Sequence, residues 1–202
     1  MSRCICVLGT GRSGTSATAG VLHKLGVPMG EPFVGADGNN PWGTFEDARL
    51  MTLTRWVIAG TDPVEAFKPI WQALSEQPLW GFKIPPFVKI AHQALPLLQE
   101  LAEVRLVIAV RPREACIASY RRAYGVGRDQ AKFWFEERYR MLGMLSLRLE
   151  VPTLYLWWPR TLREPMGAAQ RLAYHAFEGM NRPGWDVIQE AAGHIRQGVR
   201  DE

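Results

Sequence analysis

The sequence predicts an α/β fold of three layers, with helices on both faces of a central, mainly parallel sheet. Three observations carry that expectation. Short apolar runs of strand length alternate along the chain with stretches whose apolar residues recur at helical spacing. The first run passes through a glycine turn straight into a helical pattern, the connection from which layered α/β domains are built. The run Val104 to Val110 is apolar at all positions but one, which suits a strand covered on both sides.

Each element follows from its residues. Residues 3–9 read as a buried strand, and 14–25 as a helix that turns Val21, Leu22 and Leu25 inward. Pro28, Gly30, Pro32, Gly35, Gly38, Pro41 and Gly43 then make 27–43 a long surface loop. Such loops often bind ligands or act as lids. A helix is expected to begin at Thr44, where Thr44-x-x-Asp47 has the form of a capping box; Leu50, Leu53 and Val57 follow at helical spacing. Trp80 to Ile84 reads as a strand that stops at Pro85-Pro86. Phe87, Ile90, Ala91, Ala94, Leu98 and Leu101 share a helical face ahead of the strand at 104–110. Helices at 113–123 and about 129–149, a strand at 153–157 and two further helices complete the chain. The last two carry Met166, Ala169, Leu172 and Phe177, then Trp185, Ile188, Ala192 and Ile195.

With 202 residues and neither linker nor repeat, residues 1–202 are expected to form one domain. A net charge of +4, with no basic runs, is too mild for a nucleic-acid footprint and suits a local patch for a small polyanion. No apolar run has membrane-spanning length, and Cys4 to Gly9 is too short for a signal core, so cytoplasmic residence is the expectation. Cys4, Cys6 and Cys116 lack the spacing of a metal site and read as reduced thiols; no metal is expected.

The stretch Gly9 to Ser16 is the first candidate site. A strand, a glycine turn and a helix start bring backbone N–H groups together under a positive helix end. Arg12 adds a bidentate cation, and Ser13, Thr15 and Ser16 add hydroxyls. Gly9-x-Gly11-x-x-Gly14 also fits a dinucleotide fingerprint, but that needs an acidic residue at the end of the next strand. Glu31 stands near the right distance inside Pro28-Met29-Gly30-Glu31-Pro32, which cannot be a central strand. A nucleoside triphosphatase would need lysine where Thr15 stands. Arg111 is the second candidate. It follows the 104–110 strand, so it emerges at the carboxyl edge where open α/β sheets bind ligands, with Ser119 two helical turns further on.

Gly11-Arg12-Ser13-Gly14-Thr15-Ser16 followed by Arg111 and, eight residues later, Ser119 resembles the PAPS-dependent sulfotransferases, of P-loop-like fold. In that family a P-R/K-S-G-T-S/T loop holds the 5′-phosphosulfate of 3′-phosphoadenosine 5′-phosphosulfate, and an arginine and serine at that spacing hold the 3′-phosphate. Asn40-Pro41-Trp42-Gly43-Thr44-Phe45-Glu46-Asp47 and Trp80-Gly81-Phe82-Lys83 are similar to the N-P-x-G-x-x-E-D and W-G-x-K segments of its bacterial branch. The resemblance implies a nucleotide donor, a hydroxyl or amine acceptor that no motif identifies, and sulfuryl transfer without a metal. It implies that Gly11, Arg12, Ser13, Gly14, Thr15 and Ser16 hold the 5′ end and Arg111 and Ser119 the 3′ end. Lys83 would neutralise the leaving oxygen.

The chain departs from the pattern at two places. Gly11 replaces the loop proline, and Ile84-Pro85-Pro86 follows Lys83 where cytosolic members place a histidine base. The base is then expected to be Glu46, in the Asn-Pro…Glu-Asp segment, or Glu31, in the Gly30-Glu31 step. Arg121, Arg122, Lys132, Glu136, Glu137, Arg138 and Arg140 read as solvated helix faces. Trp42, Phe45, Phe133 and Trp134 could wall an acceptor pocket, but aromatics at helical spacing more often pack a core, and none is assigned as a substrate contact. Two other readings of the same loop are a non-catalytic nucleotide-binding module and a lysine-less relative of nucleotide kinases.

Overall fold

A computed structural model describes residues 1–36 and 43–197. Four strands form the sheet: β1 (Ser2–Gly9), β2 (Leu79–Lys83), β3 (Ala102–Val110) and β4 (Thr153–Trp157). Their order is β2-β1-β3-β4 and every pairing is parallel. The three-layer expectation is met. β1 is buried along its whole length, and its alternating residues feed two cores. Cys4, Cys6 and Leu8 face α2 (Ala48–Ile58), α3 (Pro63–Leu74), α4 (Ala91–Gln99) and part of α6 (Arg128–Arg148). Ile5 and Val7 face α1 (Thr15–Lys24), α8 (Pro165–Phe177) and α9 (Trp185–Gln197). All three cysteines are free and buried, and burial pushes the thiols of Cys4 and Cys6 up, so both act as small apolar packing groups.

The remaining helices are α5 (Arg113–Tyr124), which packs on α6 through Cys116, Ile117, Tyr120, Ala131 and Phe135, and the short α7 (Trp158–Arg163). The chain runs from β1 to β2 on one side and then returns to place β3 on the other. That reversal opens a crevice at the carboxyl ends of β1 and β3, the usual ligand position in such sheets. Register fixes the geometry of this edge: Val7 pairs with Lys83 and Gly9 with Ala109. The glycine turn, Lys83 and Arg111 therefore leave the sheet side by side.

Two expectations change. The helix expected from Thr44 begins at Ala48, with Asp47 as its N-cap: Asp47 Oδ1 accepts from the backbone N–H of Arg49 at 2.8 Å and of Leu50 at 3.1 Å. Thr44 instead donates its hydroxyl to the Val34 carbonyl at 3.1 Å and pins the long loop. Both residues are good caps, and the one whose following residues carry the apolar period wins. The structure also adds α3, capped by Asp62 with Pro63 in its first turn. Within the long loop, Phe33 forms an antiparallel bridge with Asp47.

Candidate functional site

The turn after β1 has an unusual backbone. Gly11, Arg12 and Gly14 all have positive φ, at 78°, 54° and 96°. Successive left-handed residues curl the N–H groups inward into an anion-binding concavity, which the amino end of α1 extends. Glycine is required at two of these positions by close approach as well as by φ. A Cβ on Gly14 would lie 2.0 Å from the Trp158 indole, and one on Gly11 would lie 2.1 Å from the Tyr120 hydroxyl oxygen. Arg12 accepts the left-handed conformation at a steric cost that a bare turn would not require.

Side chains from three strand ends converge on this turn. Arg12 Nε donates to Ser119 Oγ at 3.1 Å, and Arg111 Nη1 donates to the Arg12 carbonyl at 3.3 Å. The two motifs anticipated from sequence thus touch. On the β2 side, Lys83 is 1% exposed. Its Nζ donates to Ser16 Oγ at 3.1 Å and to Glu46 Oε1 at 2.5 Å. Two enclosed charges this close hold each other in place, and removing either would strand the other. Gly11, Arg12, Thr15, Ser16, Glu46, Pro85, Tyr120, Tyr124, Trp134 and Arg138 line one cleft of about 220 Å³. Beside it, Thr10, Arg111, Phe135, Tyr139 and Tyr155 line a second, more apolar hollow of about 350 Å³.

Not every expected residue comes to this place. Ser13 is fully buried beneath the turn, and its hydroxyl has no partner among the described residues. Glu31 is exposed and lines a different cavity with His23, Arg49, Gln77 and Trp80. Asn40, Pro41 and Trp42 lie outside the described residues. Phe133 is exposed, and Phe45 packs against His23, Phe33 and His194, so Trp134 alone of the described aromatic candidates borders the cleft. Arg121 and Arg122 are solvent-exposed, as a solvated helix face requires.

Arg138 corrects the reading of its helix as a solvated charge run. It points into the cleft, where its Nη1 donates to the Tyr120 hydroxyl and its guanidinium lies 5.7 Å from that ring's centroid. Its spacing of seven residues from Ala131, which is buried against α5, was the available signal: one face of α6 looks inward at both positions. Among the described residues, no three His, Cys, Asp or Glu side chains gather to hold a metal ion. Among the same residues, no helix is long and apolar enough to cross a membrane.

The fold is shared with a solved sulfotransferase domain, that of the Synechococcus PCC 7002 olefin synthase. The two superpose with a TM-score of 0.63 at 18% sequence identity, over 94% of this chain and 77% of that one. At this identity the likeness establishes the fold. No protein-family model matches the sequence, and no curated protein matches it.

Proposed function

We propose that this protein transfers a sulfuryl group from 3′-phosphoadenosine 5′-phosphosulfate to a hydroxyl or amine acceptor. The observation that carries the reading is the Lys83–Glu46 pair, held at 2.5 Å at the lip of a glycine turn that is itself in contact with Arg111 and Ser119. A cation, a carboxylate and an oxyanion cradle are the three groups that transfer from a phosphosulfate requires. The fold shared with a sulfotransferase domain supports the same reading.

In this mechanism the backbone N–H groups of 11–16, Arg12 and the hydroxyls of Thr15 and Ser16 bind the 5′-phosphosulfate, and Ser13 supports the turn from below. Arg111 and Ser119 bind the 3′-phosphate in the crevice between β1 and β3. The acceptor oxygen or nitrogen bonds to sulfur as the sulfur–oxygen bond to the 5′-phosphate breaks. The acceptor's proton passes to Glu46, and the electron pair leaves on the phosphate oxygen, where Lys83 meets the developing charge. Lys83 is already solvated by Ser16 and Glu46, so it can turn from one partner to the leaving oxygen without crossing water.

The test has two arms. Calorimetry with adenosine 3′,5′-bisphosphate is expected to show saturable binding, and a transfer screen with radiolabelled donor to show a labelled acceptor. Lys83→Met is expected to keep nucleotide binding and lower turnover about 10²–10³-fold, the usual cost of losing a transition-state donor. Binding without transfer to any acceptor would support a non-catalytic module instead, and magnesium-dependent transfer from ATP would support the kinase reading.

A further inference from the structure

Arg138 is a cation of the cleft that the proposed chemistry leaves unused. It stands on α6 yet overhangs the turn after β1: a Cβ built on Gly11 would lie 3.4 Å from its Nη1. Its orientation is fixed by a relay. Tyr120 donates its hydroxyl proton to the Thr10 carbonyl at 2.5 Å, so the phenol oxygen can face Arg138 only as an acceptor. Burial pushes that phenol up to about 12, so the proton stays in place at neutral pH and the relay keeps its direction. Arg138 Nε is buried with no hydrogen-bond partner among the described residues. Among the described residues, no carboxylate pairs with this guanidinium. A half-buried guanidinium at the wall of a cleft, held by one phenol and facing no carboxylate among the described residues, is suited to meet a planar or tetrahedral oxyanion.

We infer that Arg138 binds the anionic 5′ end of the donor from the wall of the cleft opposite α1, with Tyr120 as its positioning residue. The inference rests on the donor reading above. The end it grips follows from the cavities: Arg138 lines the cleft with Thr15, Ser16 and Glu46, whereas Arg111 lines the neighbouring hollow. Arg12 and Arg138 thus approach one anion from two walls. That places positive charge on both sides of the group in transfer.

Calorimetry on wild type, Arg138→Met, Arg138→Lys and Tyr120→Phe, with inorganic pyrophosphate, adenosine 5′-monophosphate, adenosine 3′-monophosphate and adenosine, tests this. Arg138→Met is expected to weaken pyrophosphate and the 5′-monophosphate about tenfold, the loss of one charge-assisted contact. The 3′-monophosphate and adenosine are expected to bind as before. Arg138→Lys should recover part of the loss, and Tyr120→Phe should weaken the same two ligands about threefold. If Arg138→Met proves unstable in a melting experiment, Arg138→Lys and Tyr120→Phe carry the comparison. Unchanged pyrophosphate affinity in the variants overturns the inference, as does equal weakening of all four ligands. If pyrophosphate binding depends on Arg138 while nucleotides bind no better than pyrophosphate, Arg138 is an oxyanion contact of this cleft, but the donor reading falls and with it the assignment to the donor's 5′ end.

Discussion

Glu46 and Glu31 belong to the same connection between α1 and α2, and the structure gives them opposite surroundings. Glu46 is 8% exposed, ion-paired to Lys83 and faces a cleft of about 220 Å³. Glu31 is exposed at the rim of a cavity of about 590 Å³, more than twice as large. Asp47 divides them. Its carboxylate caps α2, accepts from Arg49 and takes the Glu31 backbone N–H at 3.1 Å, which fixes Glu31 by its main chain and leaves the side chain outward. The larger cavity has more room, but the smaller cleft collects the cations. Cavity size follows from how loosely a sheet edge packs, whereas reactivity follows from which charges a fold forces together.

The contrast breaks most sharply at the carboxylates themselves. Glu46→Gln keeps the volume and one acceptor for Lys83, and turnover is expected to fall about 10²–10⁴-fold, the range for a lost general base. Glu31→Gln is expected to leave turnover unchanged. Steady-state rates for the two variants side by side decide the matter, and a reversed order would move the base to the outer cavity. Next in size is Asp47→Ala, which removes an N-cap and releases the Glu31 segment. It is expected to cost about 1–2 kcal/mol in a denaturant titration, with a loss of turnover because Glu46 loses its neighbour's anchor.

The smallest effect concerns pH. His194 packs on Phe45, next to Glu46, and burial, then the charges of Lys24 and His23, hold its ring below the ordinary 6.5. His175, half-buried and hydrogen-bonded to the Leu106 carbonyl, is lowered mainly by desolvation too. A histidine kept neutral in the fold takes up a proton more readily once the chain unfolds. Stability is therefore expected to be full above the ordinary value and to decline as pH falls below about 6.5. Melting curves at pH 7.5 and 5.5 check this, and His194→Gln should flatten part of the slope.

The layers were legible because they depend on local pattern: strands buried on both faces read as continuous apolar runs, and β1 and β3 do so; the meeting of Arg12 with Arg111 and Ser119 follows from the same two strands lying side by side. What escaped depends on which of two adequate local choices the tertiary structure selects. Thr44 and Asp47 both suit a helix start, and only the packing of Leu50 decides for Asp47. α3 carries Pro69 in its interior, a residue that argues against a helix even as Phe67, Trp71 and Leu74 bury its inner face. Arg138 sits among Glu136, Glu137 and Arg140, where charge pattern points to solvent. Its inward turn comes from the contact between α5 and α6, a relation between helices that no single stretch records.

The neighbouring positions of β1 and β3 have a further consequence. Arg12 and Arg111 are far apart along the chain, yet the strand ends that carry them, at Gly9 and Ala109, are neighbours across one rung of a parallel sheet, about 4.8 Å. The long loop and helices α2 to α4 that are threaded between them can lengthen or shorten without changing how far apart these two strand ends stand. A lineage built on this plan is free to redesign what lies between the two strands while the edge that carries the glycine turn and Arg111 stays put.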